Sequence, residues 1–447
     1  MKKKGMTISL AVILILEIAA IVLLLHKCRA DRLAFQERYA AREELETEPW
    51  SEESSQTELV EAILDETEAP QVLLQVPVTE ATDMGGNETG KETEMDLKKQ
   101  AEEIVAAMSL EEKIAQMFII TPDALTGVTG ANYAGQVTEQ CFQSYPVGGL
   151  VFFESNILSE EQIQTMTSSL QRISLSYTGL PLFLGVDEEG GRVARIAGRG
   201  ILDAPVFDSM YSIGMSGDSA RAYQAGKEIA SYVREAGFNV DFAPVADIWS
   251  NPANTVIGDR SFGTEAGTVS EMVSAMVTGM TEEKILSVVK HFPGHGNTDE
   301  DSHSGAVYSW RTLEELEAEE FLPFQAGIQA GADMVMVGHI SLPECLGNDV
   351  PASLSYEAVS GILRGKLDFE GLVVTDALNM GAISNRYSSG EAAVRAVQAG
   401  VDILMMPQDF YGAYESLLNA VSQDEISEER IGESVTRIVE KKLEILE

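Results

Sequence analysis

Three of the five histidines in the sequence lie in one short segment, residues 290–305, which reads KHFPGHGNTDEDSHSG. The apolar run at residues 285–289 predicts a buried strand that leads into this segment, and Pro293, Gly294 and Gly296 predict a loop after it. In parallel α/β folds, the loops that follow the carboxyl ends of strands line the ligand pocket. The segment therefore predicts a strand that delivers titratable side chains into a pocket.

Asp301 and His303 within this segment have a spacing that suits acid/base chemistry. Residues two positions apart project to the same side of an extended chain, so the carboxylate can hydrogen-bond one ring nitrogen of the histidine and fix its tautomer. A histidine titrates near neutral pH, as a general acid and base requires. The same spacing also occurs in ordinary polar loops, so the pair alone does not establish a site.

Other apolar runs also end in polar side chains. These are Asp187, Asp247, His339 and Asp376, besides Lys290 and His291. A buried polar group costs free energy unless it faces a pocket or a partner, so these strand ends predict one polar rim. Asp376 suits the carboxylate nucleophile of a retaining glycoside hydrolase. An aspartate in its place can equally cap the following helix.

A zinc site is an alternative interpretation of the same segment. His291, His295, Asp301 and His303 are ligand types that zinc accepts. No HExxH motif or other familiar ligand spacing accompanies them. His291 ends a predicted strand, whereas His295 lies in a glycine-rich turn. The sequence leaves open whether these four side chains converge.

Eight apolar runs alternate with helical patterns over residues 96–447. The runs cover residues 116–120, 147–153, 182–187, 239–247, 285–291, 334–339, 372–376 and 402–407. Such alternation is typical of an α/β fold of the (β/α)8 TIM-type barrel class, and a doubly wound open sheet is the alternative. Near the start of this domain, Ser109 and Glu112 match a helix N-terminus with acids in its first turn.

The first 28 residues predict a membrane anchor. An apolar run of membrane-spanning length, residues 6–25, follows three lysines and contains a single charged residue, Glu17. No small-x-small cleavage pattern precedes Cys28, which favours an uncleaved signal anchor over a cleaved signal peptide. The lysines favour an amino terminus inside the cell. The expectation is a single-pass protein of the cell membrane, attached through this helix, with an extracellular catalytic domain.

Residues 29–95 predict a disordered acidic linker. From Glu43 to Met95 there are sixteen acidic residues and one basic residue, Lys91, and the apolar content is too low to offset the entropy of ordering the chain. The whole protein has a net charge of −40, which argues against nucleic acid as a partner because phosphate binding needs a basic surface. The three widely spaced cysteines indicate neither a disulfide framework nor a metal cluster.

Five segments together resemble the family 3 glycoside hydrolases, and within them the β-N-acetylhexosaminidase branch. They are KHFPGHGNTDEDSH, GVDEEGGRVARI, DFAPVADI, GDRSFG and VVTDALNM, at residues 290–303, 185–196, 241–248, 258–263 and 373–380. The resemblance spans residues 96–447 and implies a (β/α)8 barrel that needs no metal or organic cofactor. It implies a retaining exo-enzyme that removes terminal β-linked N-acetylglucosamine, commonly from peptidoglycan fragments. We expect a monomeric catalytic domain.

The positions that match the family's motifs imply a role for each site residue. Asp376 matches the nucleophile, His303 matches the acid/base histidine, and Asp301 matches its partner. In the family, a further set of side chains holds the sugar and its acetamido substituent. The positions of this sequence that match them are Asp187, Arg195, Arg260, Lys290 and His291. Glu188 stands where family members commonly have glutamine, so the resemblance predicts a change in subsite contacts there.

Three other functions fit parts of the same pattern. A β-glucosidase-like or phosphorolytic enzyme can use the same scaffold, and glucoside and N-acetylglucosaminide substrates, with and without phosphate, distinguish it. A metal-dependent hydrolase is the outcome if the histidines bind zinc. A sugar-binding protein without catalytic activity is disfavoured, because it needs neither Asp376 nor the Asp301–His303 pair.

Overall fold

Eight short parallel strands form a barrel in the computed structural model of the protein, which describes residues 89–298 and 301–446. The described residues contain twelve strands, of which eight form the barrel and four form two small sheets. They are β1 Phe118–Ile120, β2 Gly149–Phe152, β3 Phe183–Val186, β4 Glu188–Gly190, β5 Val193–Ala194, β6 Val240–Asp241, β7 Leu286–Phe292, β8 Val307–Tyr308, β9 Met334–Val337, β10 Ile340–Ser341, β11 Leu372–Thr375 and β12 Leu404–Met405. The barrel order is β11-β9-β7-β6-β3-β2-β1-β12. A parallel bridge between Val374 and Ile403 joins the two ends of this order, so the sheet is a nearly closed TIM-type barrel and not an open sheet.

Continuous apolar runs explain why the barrel strands lie inside the protein. Strands β9 and β11 are buried along their whole length and pair in register from Met334 with Leu372 to Val337 with Thr375. A parallel strand that is covered on both faces needs such a run. Inside the barrel, a Cβ atom at Gly185 would lie 2.6 Å from the Phe242 ring, so the glycine leaves room for that ring.

Helices alternate with the strands along the chain. They are α1 Thr89–Ala107, α2 Leu110–Gln116, α3 Pro122–Thr126, α4 Gln136–Ser144, α5 Glu160–Thr178, α6 Met210–Met215, α7 Ser219–Glu235, α8 Ala266–Glu282, α9 Leu313–Ala318, α10 Phe321–Gln329, α11 Pro343–Leu346, α12 Gly381–Ser384, α13 Ser389–Ala399, α14 Phe410–Ser422 and α15 Glu428–Glu444, with 3-10 helices at Ala197–Arg199, Gly258–Arg260 and Ala352–Leu354 and a π-helix at Glu357–Arg364. The predicted start of α2 is confirmed as a capping box. The Ser109 hydroxyl accepts from the Glu112 amide, and the Glu112 carboxylate accepts from the Ser109 amide.

Two small sheets extend the end of the barrel at which the strands' carboxyl termini lie, which we call the mouth. β4 pairs with β5 in antiparallel fashion directly after β3. β8 pairs with β10 in parallel, and two residues separate β10 from the end of β9. These additions thicken the rim where the sequence predicts the polar residues.

The fold class predicted from the sequence needs a correction at its amino-terminal end. Within the residues that the structure describes, no helix is both long enough and apolar enough to cross a bilayer. A spanning helix needs about twenty predominantly apolar residues, whereas the long described helices carry a polar face. The predicted anchor, residues 1–28, lies outside the described residues. So does most of the predicted linker, residues 29–95, although α1 already begins at Thr89.

The carboxyl-terminal helix α15 places a lysine at the end of the barrel opposite the mouth. The Lys442 side chain is fully buried, and its Nζ donates to Gln116 Oε1 at 2.7 Å and lies 5.2 Å from the centroid of the Phe183 ring. Met117 alone separates Gln116 from the first residue of the barrel strand β1. The Gln116 side-chain amide in turn donates to the Pro146 carbonyl at 2.6 Å. Burial lowers the pKa of Lys442 to about 7.

We expect the Lys442→Met variant to be more stable than the wild type at pH 6, by about 2 kcal/mol, with the gain shrinking as the pH approaches 10. An unfolded chain holds the lysine proton up to a pH of about 10.4, whereas the folded protein releases it near pH 7. The folded state is therefore penalised fully below pH 7, and the penalty fades between these two values. Urea unfolding of the variant and the wild type at pH 6 and pH 9 measures this gain, and an equal gain at both pH values, or a loss at pH 6, would contradict the expectation.

Candidate active site

The strand register brings the predicted polar residues to one rim of the barrel. Asp187 follows the last residue of β3, Lys290 and His291 lie in the last three residues of β7, and Asp376 follows the last residue of β11. Because all these strands run in parallel within one sheet, their carboxyl ends meet at the mouth. The barrel thus brings Asp187, Lys290, His291 and Asp376 to the same end.

Lys290 is the centre of a buried group of charges at the mouth. Its Nζ lies 2.8 Å from Asp187 Oδ1 and 2.6 Å from Glu189 Oε1, and 2% of its side chain is exposed. Glu189 also accepts two hydrogen bonds from Arg260, at 2.8 Å from Nε and 2.7 Å from Nη2. Burial alone would raise the pKa of Glu189, but the two cations outweigh it and lower this pKa far below its ordinary value. The four side chains form a neutral ion network with fixed positions.

His291 is held by Asp247 on one side and faces Arg260 on the other. Its Nδ1 donates to Asp247 Oδ2 at 2.7 Å, so the neutral ring carries no proton on Nε2. Nε2 then accepts from Arg260 Nη2 at 3.5 Å. Asp247 also accepts the backbone amide of His295 at 2.7 Å. This carboxylate therefore sets both the tautomer of His291 and the path of the following loop.

Asp376 has the surroundings of a carboxylate that stays ionised. Burial alone would raise its pKa, but electrostatic interactions with His291 and His339, the hydrogen bond from the Ala377 amide and the charge of Lys290 lower it. That amide donates to Asp376 Oδ1 at 2.7 Å, which leaves Oδ2 for other chemistry. Asp376 does not cap the next helix, because α12 begins at Gly381 after Met380.

The His339 side chain holds the backbone directly after Asp376 in place. Its Nε2 donates to the Ala377 carbonyl at 3.0 Å, and its Nδ1 accepts from the Ser353 hydroxyl at 2.7 Å. Burial is the main cause that lowers the pKa of His339. A neutral imidazole with one donor and one acceptor satisfies both contacts, so His339 positions the strand end and does not need to carry charge.

Asp301 and His303 form the pair that their spacing predicts. Asp301 Oδ1 accepts from His303 Nδ1 at 2.8 Å and from the His303 backbone amide at 2.9 Å. Burial alone would raise the pKa of Asp301, but these interactions with His303 lower it. With Nδ1 committed to the carboxylate, Nε2 is the nitrogen that can exchange a proton with a ligand. The His303 side chain is 67% exposed, so a ligand at the mouth can reach it.

The loop that carries this pair is fixed against the segment that follows Asp376. The His303 carbonyl accepts from the Gly381 amide at 3.2 Å, and the Ser302 carbonyl accepts from the Ala382 amide at 3.0 Å. A Cβ atom at position 381 would lie 2.7 Å from the His303 carbonyl oxygen, so the close approach requires glycine. The structure therefore places the imidazole and Asp376 at the same end of the barrel.

The four side chains considered as zinc ligands are not gathered at one point. His295 Nδ1 donates to the Thr298 hydroxyl at 2.9 Å, and His295 Nε2 accepts from the Ser302 hydroxyl at 3.1 Å. His291 and His303 each use one nitrogen on an aspartate, as described above. Across residues 89–298 and 301–446, no group of three or more histidine, cysteine or acidic side chains is arranged to hold a metal ion.

The predicted site residue Arg195, and Glu188, for which the resemblance predicts changed subsite contacts, have partners away from this cluster. Arg195 pairs with Glu154 at 3.1 Å, and its guanidinium lies 6.0 Å from the centroid of the Phe153 ring, beyond the end of β2. Glu188 is fully buried and accepts hydrogen bonds from the Ile196 amide, the Ala197 amide and the Tyr232 hydroxyl. The expectation that Glu188 changes subsite contacts is wrong, since its side chain points into the protein, where burial raises its pKa.

Glu189 is a site residue that the sequence reasoning missed. Asp187, Glu188 and Glu189 are consecutive, and side chains alternate between the two faces of an extended strand. Asp187 and Glu189 therefore share the face towards Lys290, and Glu188 takes the opposite face. This period of two, applied directly after β3, is the signal that identifies Glu189 from the sequence.

We expect Glu189→Gln to lower the free energy of unfolding by about 3 kcal/mol, because it leaves Lys290 and Arg260 buried with too few anions. Glu154→Gln is the matched control: it removes an acid that is 58% exposed from its pair with Arg195 and should cost at most about 1 kcal/mol. Urea unfolding of both variants at pH 7 measures the difference. Equal, small losses would contradict the description of the Lys290 group as a tightly coupled network.

Comparisons with known proteins agree with this fold. The model of the glycosyl hydrolase family 3 N terminal domain matches residues 109–441. Beta-hexosaminidase A of Pseudoalteromonas piscicida is 33% identical over 326 residues, which are 67% of this chain and 54% of that protein. Beta-hexosaminidase LpqI of Mycobacterium tuberculosis is 33% identical over 346 residues, which are 76% of this chain and 84% of that protein.

Solved structures give the same result. A glycoside hydrolase family 3 beta-N-acetylglucosaminidase from Paenibacillus sp. str. FPU-7 aligns with a TM-score of 0.70 and 36% identity, over 76% of this chain and 63% of that chain. The structure of M. tuberculosis LpqI aligns with a TM-score of 0.67 and 31% identity, over 76% of this chain and 96% of that chain. The chain thus spans about half to nearly all of the length of the relatives that it matches.

Proposed function

Because this chain belongs to glycosyl hydrolase family 3, we propose that it is a retaining exo-β-N-acetylglucosaminidase. The observation that carries the proposal is the position of an ionised carboxylate, Asp376, at the same mouth as the Asp301–His303 pair. A retaining glycosidase needs these two functions, a carboxylate nucleophile and a separate proton donor. The names of the relatives supply the sugar, an N-acetylated hexosamine.

In the first step, Asp376 Oδ2 attacks the anomeric carbon and forms a covalent bond to it. The bond between that carbon and the leaving oxygen breaks, and the proton on His303 Nε2 passes to this oxygen. The carboxylate of Asp301 stabilises the histidine while it carries the proton, because it accepts from Nδ1 at 2.8 Å. The products are the released alcohol and a glycosyl ester on Asp376.

In the second step, water hydrolyses the glycosyl ester. The water oxygen attacks the anomeric carbon, its proton passes to His303 Nε2, and the bond to Asp376 breaks. Two displacements at one carbon give the β-configured product. The amide of Ala377 holds Asp376 Oδ1 at 2.7 Å throughout, so the departing carboxylate keeps its orientation.

The Lys290 group is suited to hold the sugar before the attack. Asp187 is 22% exposed, so its carboxylate can accept hydrogen bonds from sugar hydroxyls while Lys290 holds it in place. Arg260 offers N–H donors on the adjoining wall, where its Nη2 also contacts His291 Nε2. A pocket with groups in fixed positions orients a polar ring at little entropic cost. Arg195 retains its proposed role only if ligand binding draws it away from Glu154.

The natural substrates we propose are fragments of peptidoglycan or related glycans that end in β-linked N-acetylglucosamine. The full-length protein should hydrolyse 4-nitrophenyl β-N-acetylglucosaminide faster than the corresponding β-glucoside, with or without phosphate and in the presence of EDTA. NMR of the first-formed sugar should give the β anomer. Loss of activity in EDTA that zinc restores, faster turnover with phosphate, or an α anomer as first product would each contradict the proposal.

A further inference from the structure

An exposed tryptophan stands a few residues after the loop that carries His303. Trp310 is 65% exposed, and its ring stacks on Tyr308 with centroids 5.6 Å apart and planes that differ by 20°. The two residues are two positions apart in an extended stretch, so they share a face, while Ser309 between them is buried on the other side. Tyr308 covers one face of the indole and holds its orientation, and solvent reaches the rest of the ring.

Strand pairing fixes where this aromatic pair lies relative to the site. Val307 pairs with Ile340 and Tyr308 pairs with Ser341, in parallel. Ile340 directly follows His339. The His339 Nε2 atom donates to the carbonyl of Ala377, the residue after Asp376. β8 therefore starts beside the catalytic mouth and runs away from it. At about 3.3 Å per residue, Trp310 lies roughly 10 Å beyond Val307 along this line.

The chemistry of the proposed reaction assigns this side of the mouth to the leaving sugar. Asp376 attacks the anomeric carbon from one face, and the leaving oxygen departs from the opposite face, where His303 protonates it. The ring attached to that oxygen therefore lies on the side of the segment that carries His303. Three residues separate His303 from β8 in the chain, and Trp310 is the large apolar side chain that residues 301–310 expose.

A pyranose ring offers a partner that fits a fixed indole. Its β-linked, equatorially substituted form exposes several C–H bonds on each flat face, and such an apolar face packs well against an aromatic ring. We propose that Trp310, held in place by Tyr308, is the platform for a sugar ring on the leaving side of the scissile bond. The inference rests on the proposed function and adds that the enzyme selects β-linked oligosaccharides over compounds with a simple leaving group.

Kinetics of the full-length protein on two substrates test the platform. N,N′,N″-triacetylchitotriose has sugar rings on the leaving side, whereas N-acetyl-β-glucosaminyl fluoride has a leaving group without a ring. Trp310→Ala should lower kcat/KM for the trisaccharide about tenfold, the size of one lost aromatic contact, and change it less than twofold for the fluoride. Trp310→Phe should retain most of the trisaccharide activity, because an aromatic face remains.

Tyr177→Ala is the matched control. Tyr177 is another exposed aromatic residue, but it lies at the end of α5, and its hydroxyl donates to Glu139. This variant should cleave both substrates as the wild type does. Equal losses on both substrates for Trp310→Ala, or no loss on the trisaccharide, would overturn the platform. A wild type that cleaves neither compound would overturn the proposed function itself.

Discussion

Asp376→Ala is expected to lower kcat on 4-nitrophenyl β-N-acetylglucosaminide by about 10⁴-fold or more, because it removes the atom that forms the covalent intermediate. The fold should persist, since the side chain's own hydrogen bond is a local one to the Ala377 amide. Removing the carboxylate loses its attraction to the neighbouring groups that lower its pKa, but it also removes a desolvation cost, so the two effects oppose each other. Urea unfolding should therefore give a stability close to that of the wild type.

Azide distinguishes a missing nucleophile from a damaged pocket. In the Asp376→Ala variant, azide can enter the space of the lost carboxylate and attack the anomeric carbon of a substrate with a reactive leaving group, which yields the α-glycosyl azide. Asp349→Ala is a suitable control, because Asp349 is an exposed aspartate that pairs with Arg386 at 3.0 Å; it should keep wild-type kcat. A β-glycosyl azide from Asp376→Ala, or full activity without azide, would exclude Asp376 as the nucleophile.

His303→Ala is expected to lower kcat/KM by about 10²- to 10⁴-fold on chitobiose, whose leaving sugar needs a proton. The loss should be much smaller on a 2,4-dinitrophenyl glycoside, because its leaving group departs without protonation. The imidazole is 67% exposed, so its removal should leave the unfolding free energy unchanged. Steady-state kinetics on the two substrates give the ratio, and equal losses on both would contradict a role in proton transfer.

The same variant gives a second, stereochemical result. Without the imidazole, the glycosyl ester on Asp376 persists, and azide can attack it from the face that His303 leaves empty, which yields the β-glycosyl azide. Asp301→Asn should fall between the wild type and His303→Ala, because the amide keeps the contact to His303 Nδ1 but no longer stabilises a charged ring. Full activity of Asp301→Asn on chitobiose would exclude a role of Asp301 in the mechanism.

The parts of this structure that follow from the sequence are those that local spacing controls. The capping box of Ser109 and Glu112 depends on residues three apart, and the contact of Asp301 with His303 depends on residues two apart. Apolar runs separated by helical patterns determine the barrel, because a strand covered on both faces needs a continuous apolar stretch. The polar rim then follows from parallel strands alone.

Tertiary structure decided which polar residue does what at this rim. The apolar run at 239–247 predicts a long strand, but only Val240–Asp241 pair as one, and Asp247 lies in the loop where it holds His291. Glu189 meets Arg260 from a position 71 residues away, and no local pattern indicates that pair. Strand ends and ion partners depend on which neighbours the closed barrel supplies.

The chain's own order of residues thus determined the barrel, the loop from Lys290 to Gly305 and the residue types that reach the mouth. Only the folded chain decided that Glu188 turns inward, that Arg195 pairs with Glu154, and that the loop bearing His303 is fastened to Gly381. The physical reason is the range of the interactions. Helix caps, alternation and apolar periodicity act over a few residues, whereas the electrostatics of a buried site depend on every charge that the fold brings within a few ångströms.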